Sequence, residues 1–122
     1  GALPFMKGDL FVPDTAIHYC IEVKFYKNTH FDDKVLTNKS SEFIRWWDQA
    51  TDQAKKTNRK PLLFFKYNRS KVFVAVKDAP QRTKKFMYVG HLGCYVMIAE
   101  EWLINEQPEF INGQNVSKVS AV

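Results

Sequence analysis

Apolar residues in this chain fall into three patterns: short β-rich runs, one long stretch at helical spacing, and two polar intervals. The run Leu10-Phe11-Val12, the turn signal Pro13-Asp14 and the β-rich run His18 to Phe25, extending to Tyr26, predict a β-hairpin. With Asp14 to Ile17 as a four-residue loop, Pro13 faces His18, Phe11 faces Cys20 and Asp9 faces Glu22. Opposed residues share a face, with Cβ atoms about 4.5–5.5 Å apart. Period-two alternation adds Lys24 to the side of Asp9 and Glu22, and turns Leu10, Val12, Ile21, Val23 and Phe25 to the other.

Beyond the hairpin, Lys27 to Lys39 is polar and turn-rich and predicts a loop that leaves from the Lys24 end of the strand. Ser40 or Ser41 caps a helix that runs to about Thr57, with Phe43, Trp46, Trp47, Ala50 and Ala54 as its apolar stripe. The two tryptophans are read as core. Gln49 and Gln53, four residues apart, sit on a flank of that stripe. Asn58 to Lys60 ends the helix ahead of Pro61. Two nearly continuous apolar strands follow, Leu62 to Phe65 and Val72 to Val76, joined by a tight turn over Tyr67 to Ser70; such strands are buried on both faces. Lys77 to Lys85 predicts a basic loop. Phe86 to Val89 and Cys94 to Ala99 predict two more strands joined by Gly90 to Gly93, and Glu100 to Glu106 a short helix that packs through Trp102 and Leu103. The expectation is one domain over 1–122, with an irregular lead-in over 1–6 and a flexible tail over 112–122.

The hairpin carries the candidate chemistry. Two carboxylates at cross-strand separation can share a hard divalent cation, Mg²⁺ or Mn²⁺, with the backbone carbonyl of Val23 as a further oxygen ligand. A neighbouring Lys24 amine can orient or deprotonate an attacking water and steady charge growing on a phosphate. The bland alternative is a surface ion pair of Lys24 with Asp9 or Glu22, which contributes little. A second Asp-x-Lys, Asp32-Asp33-Lys34, lies in the polar loop without strand character and is set aside. Asp14 falls at the far turn of the hairpin, roughly 20 Å from Glu22, so Asp9 is the preferred partner.

Charge sharpens this reading. The chain of 122 residues carries +5 overall, yet Lys55 to Lys85 holds eleven basic side chains against Asp78 alone. That stretch carries +10 and the remainder −5, the asymmetry of a nucleic-acid binder. Lys7, Lys55, Lys56, Arg59, Lys60, Arg69, Lys71, Arg82, Lys84 and Lys85 are the candidate phosphate contacts. Cys20 and Cys94 lack metal-ligand spacing and read as buried free thiols, which fits a reducing cytoplasm. His18, His30 and His91 make no zinc pattern. No apolar run approaches a membrane span, no secretory signal is visible, and no glycine-rich phosphate loop or Ser/His/Asp ordering competes.

Gly8-Asp9-Leu10 followed by Glu22-Val23-Lys24 resembles the signature of the PD-(D/E)xK nucleases, an Asp at the start of one strand and (Asp/Glu)-x-Lys on the next. The resemblance implies an α/β, restriction-endonuclease-like mixed central sheet with a helix packed after the Glu-x-Lys strand. It also implies a Gln on that helix turned to the site, Gln49 or Gln53, with Gln49 preferred. In the superfamily an acidic helix normally precedes the Asp strand; only eight residues precede Asp9 here and none is acidic. The expectation is therefore a core without its N-terminal helix, completed by another copy or run on fewer ligands. Within the superfamily the chain looks most like small archaeal and phage Holliday-junction resolvases, through Lys7-Gly8-Asp9, its short length and the aromatic helix Trp46-Trp47-Asp48-Gln49-Ala50. That implies a metal-dependent deoxyribonuclease acting in recombination on branched DNA as a homodimer, in the cytoplasm, the host's if phage-encoded. The alternatives are a same-fold nuclease on duplex or single-stranded DNA, or a non-catalytic nucleic-acid-binding module.

Overall fold

A computed structural model describes residues 10–11, 18–27, 33–37, 41–110 and 117–118. The polypeptide forms β1 (Leu10–Phe11), β2 (Tyr19–Tyr26), α1 (Lys34–Thr37), α2 (Glu42–Thr57), β3 (Lys60–Tyr67), β4 (Phe73–Val76), β5 (Met87–Val89), β6 (Cys94–Ile98), α3 (Ala99–Glu106) and β7 (Ser117–Lys118). Five strands make one sheet in the order β2-β3-β4-β6-β5. β2 and β3 are parallel, and the other pairs are antiparallel. The parallel pair needs a crossover, and α2 supplies it. This is a mixed α/β sheet of the restriction-endonuclease-like kind.

Local chemistry fixes the ends of α2. The Ser41 hydroxyl accepts from the Ile44 N–H at 3.3 Å, an N-cap. Asn58 closes the other end at φ 53°, a left-handed conformation that Asn tolerates better than most residues. Between them Phe43, Trp46, Trp47, Ala50 and Ala54 are buried.

The sheet separates two core layers. On one face Leu62, Phe64, Val74, Val76 and Met97 pack with Trp102 and Leu103 of α3 and with Phe110. On the other, Leu63, Phe65, Tyr67, Ala75 and Val96 pack with Phe43, Trp46, Trp47 and Ala50 of α2. β3 is buried on both sides, so its sequence shows no alternation. Each large side chain buried there contributes about 1.5–3 kcal/mol.

Four expectations change. Leu10 and Phe11 pair with Lys118 and Ser117, not with the β2 strand, so the hairpin alignment of Phe11 with Cys20 is not formed. Those two residues of the 112–122 stretch, expected in a flexible tail, thus form β7. A local turn signal states that the chain reverses; it does not state which strand the preceding run will join. The polar interval 27–39 contains the short helix α1, whose Val35 is buried in the α2 layer. Cys20 is half-buried, whereas Cys94 is buried as expected, and both are free thiols. Lys7, Asp9 and Asp14 lie outside the described residues.

Candidate active site

β2 inverts the usual burial of a strand. Val23 is 40% exposed and Phe25 57%, yet the charged Glu22 and Lys24 between and beside them are half-buried. Register explains the direction in which each points. Glu22 pairs with Leu63 and Lys24 with Phe65, both in the layer beneath α2. Partners across a ladder share a face, so Glu22 and Lys24 lie on the α2 side and Ile21, Val23 and Phe25 on the α3 side. Two residues along a strand span about 6.6 Å, close enough for a carboxylate and an amine to act on one phosphate.

The rotation of α2 decides what overlies this pair. Trp46 packs on Phe65 and Tyr67 of β3. Trp47, about 100° further round, donates its indole N–H to the Leu92 carbonyl at 3.2 Å, in the β5–β6 turn. That turn belongs to the far side of the sheet, so the opposite flank of α2 faces β2. Gln49 and Gln53 occupy that flank, both exposed. α2 runs antiparallel to β3, with Phe43 against Phe65 and Ala50 in the layer of Leu63.

Oxygen donors are what a hard cation requires, and the Glu22 carboxylate with the Val23 carbonyl has the right chemistry. Among the described residues no group of three or more His, Cys, Asp or Glu could hold a metal ion, so this pair needs a further ligand. Lys27 continues from the Lys24 end of β2, but the described α1 lies elsewhere. His91 donates its Nε2 proton to the Val35 carbonyl at 2.8 Å, tying α1 to the β5–β6 turn at the opposite edge of the sheet.

β2 thus carries Glu-x-Lys on its α2 face, α2 is the crossover helix, and β3 is the parallel partner strand. The model of a family described as "Phage putative PDDEXK endonuclease" matches residues 2–103. The chain belongs to the PD-(D/E)xK superfamily. It is also similar to Protein D14 of Escherichia phage T5, 29% identical over 90 residues. That alignment covers 71% of this chain and 56% of D14, so the chain spans about half the length of that relative. No solved structure matches the chain. PD-(D/E)xK nucleases generally use divalent metals, in keeping with the oxygen donors on β2.

The basic residues, continuous in sequence, divide in space. Lys55, Lys56, Arg59 and Lys60 gather where α2 ends and β3 begins, whereas Arg69 and Lys71 sit in the turn at the other end of β3. An eight-residue strand separates the groups by roughly 23 Å. Two of these charges are partly spoken for: Lys60 pairs with Asp78 at 2.7 Å and Lys56 with Asp52 at 3.3 Å. The hydrogen bond to Asp78 raises the Lys60 pKa above its ordinary value, although burial opposes it. Arg82, Lys84 and Lys85 are exposed on the approach to β5.

One cluster escaped the sequence. The Glu106 carboxylate, at the end of α3, accepts from the Gln81 N–H at 2.7 Å, the Arg82 N–H at 2.8 Å, and the Thr83 N–H and hydroxyl at 2.6 and 2.8 Å. Burial by itself raises the pKa of this group, but the four hydrogen bonds together outweigh it and hold the carboxyl below the ordinary range. It borders a cleft of about 590 Å³ on the α3 side, lined by Tyr19, Lys60, Asp78, Trp102 and Glu106 among others. Neither Glu22 nor Lys24 reaches that cleft. No helix among the described residues is long and apolar enough to cross a membrane.

Proposed function

We propose that this chain is a divalent-metal-dependent DNA endonuclease whose substrate is branched DNA, a Holliday-junction resolvase in character. The observation that supports the nuclease reading is the half-buried Glu22 and Lys24 on the α2 face of a strand whose neighbours Val23 and Phe25 are exposed. Half-burying charge on an edge strand while leaving Phe25 to solvent costs free energy, which a functional role for the pair would offset.

Glu22, with the carbonyl of Val23 and the carboxylate of Asp9, would hold Mg²⁺ or Mn²⁺, and the cation would supply Lewis-acid activation of the scissile phosphate and a more acidic water. Lys24 orients or deprotonates the attacking water and balances charge building on the phosphate oxygens. Gln49 donates to the water or to a non-bridging oxygen and holds it in line. The two basic groups at opposite ends of β3 suit a substrate with arms leaving in different directions. Paired cuts across a junction require two active sites related by a two-fold axis, hence a homodimer. Such an enzyme works in the cytoplasm, the host's if the gene is a phage's.

The test is cleavage of a four-way junction beside its matched linear duplex, with Mg²⁺ and with EDTA. Symmetric, metal-dependent cuts confined to the junction support the resolvase. Equal cutting of both substrates removes the junction preference and leaves a general nuclease. Binding without cutting in either condition overturns the catalytic reading.

A further inference from the structure

β5 is an edge of the five-stranded sheet, and the chain approaching and forming it displays aromatic side chains to solvent. Phe86 is 43% exposed, Met87 49% and Tyr88 55%, before Val89 returns to the core. The alternation expected of an edge strand, with polar residues outward, is absent here. Tyr88 stands opposite Tyr95 of β6, with ring centroids 4.6 Å apart and planes tilted by 36°. Phe86 leans on the same Tyr95 ring at 5.7 Å. Tyr95 is half-buried against the α3-side core, so the outer two rings rest on an anchored third. Along the chain, the charge next to them has one sign. Arg82, Lys84 and Lys85 are exposed immediately before the rings, and no acidic residue occurs between Asp78 and Glu100. The bonds from Gln81, Arg82 and Thr83 to Glu106 hold the base of this basic segment to α3.

We infer that Phe86, Tyr88 and Tyr95, with Lys84 and Lys85, form a docking platform for unpaired bases of single-stranded nucleic acid. Exposed rings offer faces on which bases stack, and flanking cations track the phosphates between them. A duplex hides its base faces and gains only the charge. A second copy fits the patch poorly, because a two-fold contact sets Arg82, Lys84 and Lys85 against their own like charges. A cross-strand structural pair accounts for Tyr95, but not for a Tyr88 ring more than half in water. The inference rests on the nucleic-acid reading of the chain, not on the junction preference, and adds unpaired bases to what the chain binds.

The test is fluorescence anisotropy in EDTA, where no cutting contributes, with an oligo-dT of about 15 nucleotides and a duplex of equal length. Tyr88→Leu keeps apolar bulk without an aromatic face; Tyr88→Phe keeps the face. Tyr88→Leu and Phe86→Leu are each expected to weaken oligo-dT binding about 5-fold or more, while Tyr88→Phe binds as the parent does and duplex affinity moves by less than about 2-fold. Lys84→Gln with Lys85→Gln should flatten the salt dependence on oligo-dT by roughly 1.4 in slope. Unchanged oligo-dT affinity in Tyr88→Leu overturns the platform. So does a parent chain that sediments as a dimer and dissociates on Tyr88→Leu, which reassigns the patch to a second copy. A parent chain that binds oligo-dT in this way but cuts no DNA when Mg²⁺ is supplied speaks against the nuclease reading alone and leaves the platform standing.

Discussion

Removing the Glu106 carboxylate should loosen the basic loop ahead of β5, and the structure gives the size of the effect. Four donors converge on two oxygens. Gln81 and Arg82 are exposed, so water can replace the carboxylate at their N–H groups at little cost. Thr83 is only 3% exposed, so its N–H and hydroxyl lose an acceptor that water does not readily supply. An unsatisfied buried polar group costs about 1–3 kcal/mol, and screening at this partly exposed carboxylate favours the lower end. Glu106→Ala should thus cost about 2–3 kcal/mol, and Glu106→Gln, which keeps one acceptor oxygen, about 1 kcal/mol. The sign of the pH dependence follows from the lowered pKa. A carboxyl depressed in the folded state contributes stability that is present in full above its unfolded pKa, near 4.3, and is lost as pH falls through the folded value. The advantage of the parent over Glu106→Gln should therefore be constant near neutrality and shrink below about pH 4.3. Urea unfolding followed by the fluorescence of Trp46, Trp47 and Trp102, all buried, reads both quantities. A Glu106→Ala cost under about 0.5 kcal/mol, or a Gln variant whose deficit persists unchanged to pH 3.5, refutes this account of the loop.

Ala50 is fully buried between α2 and the sheet, so Ala50→Leu should overpack the contact and cost about 1–3 kcal/mol in the same urea titration; a neutral result would mean that α2 does not lie this close to β3. Burial pushes the Cys94 thiol up to about 12, so it should resist thiol reagents in the native state at pH 8 and react only on unfolding, as peptide mapping of the labelled protein would show. Trp47→Phe removes the bond to the Leu92 carbonyl and should lower stability by about 0.5–1.5 kcal/mol, read as a fall in melting temperature.

The parts of the fold set by local chemistry were legible in the sequence. The Ser41 cap, the apolar stripe of α2 and the stop at Asn58 each act within a few residues, and the helix observed over Glu42–Thr57 follows them. The doubly buried β3 and β4 announced themselves by unbroken apolar runs. Period two was enough to set Glu22 and Lys24 on one face. What lay beyond reach was pairing over distance. Leu10 and Phe11 meet Ser117 and Lys118, more than a hundred residues away, and no turn signal encodes such a partner. The Glu106 bonds span 23 to 25 residues and join a helix end to loop amides, which carry no side-chain signature. The exposure of Phe86 and Tyr88 was likewise hidden, because an apolar run looks the same whether the sheet continues beyond it or ends there. Asp9, on which the signature reading leaned, lies outside the described residues, and the hairpin that was to bring it to Glu22 is not the pairing of β1.

The most direct test of the central claim compares Glu22→Gln and Lys24→Ala with the parent in a single assay of DNA binding and Mg²⁺-dependent cleavage. Both variants should bind DNA within a few-fold of the parent, stay folded, and lose cleavage by a factor of about 100 or more, in line with removal of a metal ligand or a catalytic proton-transfer group. Cleavage retained in either variant, on a preparation freed of contaminating nuclease, would contradict the assignment of β2 as the catalytic strand.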